Sequence, residues 1–269
     1  MLDEPSMSRS PDPKVTERFG RAVSLRGTDR TETVSLLREN ADSGCTDSMV
    51  LLGAILADGD DGERRESVEL FRKAHELGND SGTRNLAYCY AIGLNVERDK
   101  TKGAELYTQA AEAGNPRAMC NIGVMYDHGN GVEQDFEKAF QWYLRSAEAG
   151  YPRGMTNLGE HYMQGKGTER DIDQAERWFI ESGTPRATYR LAEIYLDIRG
   201  DEGKGMECLI RSAEGHYSRA LLRYGRMIES ERFDDAVRMY KEAASKGNRD
   251  AISRLEELDI EVPERRRKK

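Results

Sequence analysis

The residues best suited to nucleophilic or metal chemistry are four histidines (His75, His128, His161, His216) and four cysteines (Cys45, Cys89, Cys120, Cys208). No two histidines lie three or four positions apart, so the paired ligands of a zinc-protease helix are missing from the sequence. The cysteines have neither C-x-x-C spacing nor a histidine at ligand distance, and they read as reduced thiols in a cytosolic protein. The sequence contains no G-x-S-x-G elbow, no P-loop and no dinucleotide fingerprint. Acidic residues outnumber basic ones by 49 to 41, for a net charge of −8, yet no carboxylate pair stands out from the solvated background. The expectation is a protein with no catalytic residues, no cofactor and no metal. Nucleic acid is excluded as a partner because its binders present a basic domain.

One regularity has chemistry of a different kind. Arg117, Arg153, Arg186 and Arg219 recur at intervals of 36, 33 and 33 residues. A cation in the first turn of a helix opposes the macrodipole, so each needs compensation. Glu112, Glu148, Glu181 and Glu214 each lie five residues before one of these arginines, and a Glu–Arg ladder across the turns is the local answer. The alternative is an arginine stripe that recognises an acidic partner segment, since the guanidinium grips carboxylates in bidentate fashion.

Helix pairs must hold such a column. The small residues Gly53, Ala87, Gly123, Gly159, Ala192 and Gly225 fall 34, 36, 36, 33 and 33 apart, a period that signals a solenoid. Around each, apolar positions recur at helical spacing, as in Ala118, Ile122, Gly123 and Tyr126. Proline opens three of these first helices at Pro116, Pro152 and Pro185, where no backbone N–H is needed. A Gly-containing turn follows, then an N-cap such as Asp135 or Asp171. The second helix ends at a glycine suited to a left-handed C-cap: Gly44, Gly78, Gly114, Gly150, Gly183 and Gly247. Once, at Gly215-His216, the order inverts. The small residues are expected to let helix backbones approach closely. Trp142, Trp178, Tyr126, Tyr162 and Tyr195 are expected on the buried stripe.

Residues 116–151 carry Ile122-Gly123, Tyr126, Gly129, Gly131-Val132, Asp135, Lys138-Ala139, Trp142-Tyr143, Ala147 and Gly150. This pattern resembles the Sel-1-like repeat (SLR), a cousin of the tetratricopeptide repeat. The resemblance implies an all-α, right-handed α/α superhelical solenoid with repeats at 46–79, 80–115, 116–151, 152–184, 185–217 and 218–248. In 152–184 three positions are lost after Trp178-Phe179, which should shorten that helix. The last two repeats have shorter inter-helix loops. Residues 13–45 read as a degenerate first repeat and 249–259 as a capping helix, with Glu256 in the small slot as a polar cap requires. The whole solenoid then spans 13–259, between a disordered tail at 1–12 and a basic tail at 260–269.

In related repeats the first helix of each pair lines the concave face. Its slots one after the small residue, three before it and four or five after it nominate Arg84, Tyr88, Cys120, Val124, Asp127, Thr156, Glu160, Met163, Tyr189, Glu193, Leu222 and Arg226 as partner-binding. The family resemblance implies a non-catalytic scaffold or adaptor that holds a protein or peptide partner. A regulatory subunit that activates or tethers an enzyme is the alternative. A third class, β-lactamase-like enzymes of the cysteine-rich SLR type, carries a cysteine pair in each repeat that this sequence lacks. Without a signal peptide or an apolar run long enough to span a membrane, the expected location is cytoplasmic. The run Arg265-Arg-Arg-Lys-Lys269 adds the nucleus as a second destination. Asn79-Asp-Ser81 matches a glycosylation sequon that should be idle in such a compartment.

Overall fold

The computed structural model describes residues 12–264, which form fifteen α-helices and no strand. The chain divides into two compact units after Ala149. The first holds four antiparallel pairs: α1 (Pro13–Leu25) with α2 (Arg30–Asp42), α3 (Thr46–Leu56) with α4 (Asp61–Glu76), α5 (Asp80–Ile92) with α6 (Lys100–Glu112), and α7 (Pro116–His128) with α8 (Phe136–Glu148). The second holds α9 (Pro152–Gln164) with α10 (Ile172–Ser182), α11 (Pro185–Glu193) with α12 (Glu202–Glu214), α13 (Ser218–Ile228) with α14 (Phe233–Ser245), and then α15 (Arg249–Glu257). In each unit a helix packs on its neighbours in sequence. This is the all-α solenoid architecture, in which each element buries its face against the next.

Local chemistry sets the helix ends. Pro116, Pro152 and Pro185 stand in the first turns of α7, α9 and α11. The Asp135 carboxylate accepts from the Lys138 N–H at 2.9 Å, and the Asn115 side chain accepts from the Ala118 N–H at 2.9 Å. Asp60 and Glu63 form a reciprocal capping box. The Asn79 side chain caps α5 through the Gly82 N–H while its amide donates to Thr46 and Asp47, so the sequon asparagine is a structural cap. After α12 the inverted order has a steric cause. A Cβ at Gly215 would sit 2.7 Å from the Pro185 ring, so glycine is held there and His216 takes the left-handed conformation, φ 59°. The His216 Nδ1 lies 2.7 Å from the Glu242 carboxylate, a contact that ties the ring down.

The recurring small residue acts differently from the expectation of bare backbone approach: it seats an aromatic ring. A Cβ on Gly53, Gly123, Gly159 or Gly225 would come within 2.6–2.7 Å of Phe71, Tyr143, Phe179 or Tyr240, each fully buried. Four residues before each ring lies a second small position, filled by Ser67, Ala139, Ala175 and Ala236. In the two repeats whose first helix carries alanine, Ala87 and Ala192, that second position is glycine: Gly103 and Gly205. A Cβ on Gly103 would lie 3.1 Å from the Ala87 carbonyl, and one on Gly205 would lie 2.4 Å from Leu196. Each of the six crossings thus holds one glycine and one alanine or serine. The close-packed interface has room for a single methyl or hydroxymethyl group there.

The ring that fills the core is the residue after tryptophan. Tyr143 and Phe179 are buried, whereas Trp142 and Trp178 are only half-buried, and the Arg145 guanidinium covers the Trp142 ring at 4.4 Å. Tyr126 and Tyr162 are likewise half-buried, so of the predicted stripe only Tyr195 is fully in the core. A second recurring bond ties the pairs together. Ser146, Ser182 and Ser212 donate to the carbonyls of Pro116, Pro152 and Pro185 at 2.7, 2.9 and 2.6 Å.

Helix α10 has 11 residues against 13 in α8, the shortening expected after Trp178-Phe179. The connection from α11 to α12 is a π-helical turn over Ile194–Arg199 that the sequence did not announce. Two readings of the chain ends need correction. Asp12, placed in the N-terminal tail, caps α1 by accepting from the Lys14 N–H at 2.8 Å. Ile260 and Val262, placed in the C-terminal tail, pack against the core of the second unit. Residues 1–11 and the basic run 265–269 lie outside the described residues.

Candidate functional site

The first helices carry the nominated slots, and the structure separates them. The slot three before the small residue is buried in every repeat: Arg84 is 4% exposed, Cys120 0%, Thr156 2%, Tyr189 8% and Leu222 7%. It lies one turn from the small residue on the same side of the helix, which is the packed side. Thr156 is engaged with the Pro152 carbonyl, Ser182 and Thr184 at 2.7–3.0 Å. Arg84, Cys120 and Thr156 are therefore packing residues and not a partner surface. Tyr189 and Leu222 keep one edge at a cleft described below.

The slot one after the small residue faces outward. Tyr88, Val124, Glu160 and Glu193 are partly exposed there and Arg226 is exposed; Asp127 and Met163, four after it, are partly exposed as well. Residue type changes from repeat to repeat in these slots, in contrast to the small and aromatic slots.

The arginine column occupies the first turns of α7, α9, α11 and α13. The predicted ladder does not hold at Arg186, which turns away from Glu181 and donates through Nε to Glu160 at 3.0 Å, on the first helix of the preceding pair. Reaching the neighbouring helix satisfies Glu160, whose side chain is 12% exposed. Arg153 and Arg219 are exposed, and Arg117 is half-buried.

Sequence reasoning missed a second set of arginines, two before the small slot. Arg190 donates to Glu160 at 2.8 Å and to Glu193 at 2.7 Å, Arg223 grips both oxygens of Asp197 at 2.7 and 2.9 Å, and Arg254 donates to Glu229 at 3.0 Å. Each reaches back to the preceding first helix or its extension. The earlier repeats carry Asn85, Asn121 and Asn157 in this slot, a change of type that could have flagged it. The hydrogen bonds from Arg254 and Tyr240 hold the Glu229 carboxyl below its ordinary range. Burial, reinforced by Glu176, pushes the Tyr195 hydroxyl up to about 12. Each shift follows from a packing contact between neighbouring helices: Glu229 with Arg254 and Tyr240, and Tyr195 with Glu176.

Four nominated residues do come together. Tyr189, Arg219, Leu222 and Arg226 line one cleft of about 680 Å³ in the second unit, with Arg223 and Met227 on α13 and Lys246, Asn248, Arg249 and Asp250 at the junction of α14 and α15. Among the described residues, no group of three or more histidine, cysteine or carboxylate side chains is arranged to hold a metal, and no helix is long and apolar enough to cross a membrane.

Comparison with known proteins places this geometry. A family model described as Sel1 repeat matches residues 46–79, 81–115, 116–151, 152–183, 185–217 and 218–248. The chain is similar to a protective antigen of uropathogenic Escherichia coli that displays an SLR fold, at 27% identity and a TM-score of 0.67, over 91% of this chain and 56% of that one. A Sel1 repeat protein from Oxalobacter formigenes shares the fold at a TM-score of 0.74 and 22% identity, over 84% and 98% of the two chains. In sequence, 76 residues are 32% identical to the DAP3-binding cell death enhancer 1 of Rattus norvegicus, 28% of this chain and 15% of that protein's length.

Proposed function

Because the chain belongs to the Sel1 repeat family, whose members generally serve as protein–protein interaction scaffolds, we propose that it is a non-catalytic scaffold that binds a partner protein along the outward slots of its first helices. The supporting observation is the division of labour within each repeat. The small slot and the glycine, alanine or serine facing it are held to small residues, while the slot after the small residue runs Tyr88, Val124, Glu160, Glu193 and Arg226. Within each unit, regular packing beside a variable, partly exposed slot suits recognition of a partner, with tyrosine and arginine as the anchors. Glu160, consumed by Arg186 and Arg190, belongs to that packing.

A photo-crosslinking amino acid at Val124 or Met163, compared with one at the exposed second-helix residues Gln141 or Glu207, tests the reading in the native cell. Discrete protein adducts are expected from the first-helix sites alone. Adducts from Gln141 and Glu207, with none from Val124 and Met163, would move the partner to the other face and refute it.

A further inference from the structure

We propose that the cleft of the second unit docks an acidic peptide segment of the partner, in which carboxylates alternate with a large apolar side chain. The inference deepens the scaffold reading and rests on it. Of the arginines lining the cleft, Arg223 is held by Asp197, but Arg219, Arg226 and Arg249 are exposed and make no ion pair among the described residues. Lys246, already paired with Glu242, adds a further positive charge. Asp250 is the one carboxylate in the lining. A chain of net charge −8 thus gathers five cations at one cleft, of which Arg219, Arg226 and Arg249 make no ion pair among the described residues, and this local excess of positive charge favours an anionic occupant.

The geometry selects the kind of anion. Arg219, Arg223 and Arg226 stand at i, i+4 and i+7 on α13, one face of the helix over a span of about 10 Å. An extended peptide repeats its same-side side chains every ~7 Å, so two of its carboxylates come within reach of the long side chains of Arg219 and Arg226, whose backbones stand about 10 Å apart. Between them Tyr189 and Leu222 form an apolar floor, and Met227, 47% exposed, forms its rim. That floor has no use for a nucleic-acid backbone, whose phosphates a chain of net charge −8 repels at long range. It does suit a leucine or phenylalanine between the acids. Guanidinium is weakly hydrated and planar, which makes arginine the cation best matched to paired carboxylates.

The test titrates the full chain with a fluorescent peptide alternating glutamate and leucine, read by anisotropy. Binding should saturate, weaken as salt rises, and fall at least tenfold in the triple variant Arg219→Glu, Arg226→Glu, Arg249→Glu. The triple Arg→Gln variant, which keeps the volume and cannot disturb folding by repulsion, should show the same direction of change with unchanged helicity. Equal binding to wild type and both variants overturns the proposal. So does equal binding of a peptide with glutamine in place of glutamate, or displacement by a single-stranded oligonucleotide at lower concentration than by the unlabelled peptide. Adducts retained at Val124 and Met163 with no peptide binding to the wild type would sink the cleft alone. Absence of first-helix adducts in the wild type would sink the scaffold reading itself.

Discussion

The exchange of one glycine between facing helices makes a quantitative prediction. At the α9–α10 crossing, Gly159→Ala places a methyl group 2.6 Å from the Phe179 ring, which is fully buried and must shift to admit it. Alanine improves helix propensity by about 1 kcal/mol. Overpacking a filled core costs about 1–3 kcal/mol, so the net change is a loss of up to about 2 kcal/mol. Ala175→Gly alone loses about 1 kcal/mol of propensity. It also loses about 0.8 kcal/mol for the buried methyl group. The double variant reproduces the arrangement of Ala87 with Gly103 and of Ala192 with Gly205, in which the methyl has moved to the other helix. It should therefore be more stable than the sum of the singles by at least ~1 kcal/mol, within the range of direct-contact couplings. Urea unfolding of the four proteins, followed by helicity, measures the coupling. Local hydrogen exchange in α9 and α10 guards against unfolding of the repeats in separate steps. Additivity within the error of the cycle would refute the claim that the crossing admits one side-chain carbon and no more.

The serine that ties each second helix to the proline carbonyl should be worth about 1 kcal/mol, the usual net value of a buried hydrogen bond, so Ser146→Ala should lower the urea midpoint accordingly. Glu229 has a folded pKa depressed below its ordinary 4.5 by Arg254 and then Tyr240. Its contribution to stability is therefore complete above that ordinary value and is lost as pH falls through the depressed one. Glu229→Gln should flatten the acid limb of the stability profile below about pH 4.5 and leave a constant deficit at neutral pH; an unchanged acid limb would refute the assignment. Burial holds the Cys89 thiol up at about 12, and Cys120 and Cys208 are buried too, whereas Cys45 is only half-buried. A thiol reagent should accordingly modify Cys45 first and the other three only with global unfolding, as read by the number of thiols released with time.

Much of the architecture was legible in the residues. Proline at the first turn, Asp135 and Asp171 as caps, and a positive-φ glycine after the second helix are local constraints, satisfied by atoms within a few positions of one another, so a linear reading captures them. Even the inversion at Gly215-His216 was visible as an anomaly, although its cause, the Pro185 ring, lies 30 residues away. The small-residue period was equally plain. What the glycine touches was not, because the aromatic ring it seats belongs to another helix and is chosen over the adjacent tryptophan by the crossing geometry.

The candidate site was legible in outline only. Periodicity assigned Arg84, Cys120 and Thr156 to an exposed slot, since a helical wheel gives the angle between positions but not its origin. A rotation error of one residue, about 100°, exchanges a groove residue for a core residue, and only packing supplies the zero. Charge pairing suffered the same limit: Glu181 was near Arg186 in sequence, yet Glu160 on the preceding helix was nearer in space. Composition and repeat period thus determined the fold class of this chain, because those depend on local preference and on the recurrence of a buried face. Which arginines are spent on carboxylates and which remain free around the cleft of the second unit was decided by tertiary structure, because an ion pair depends on distances between helices that no single helix encodes.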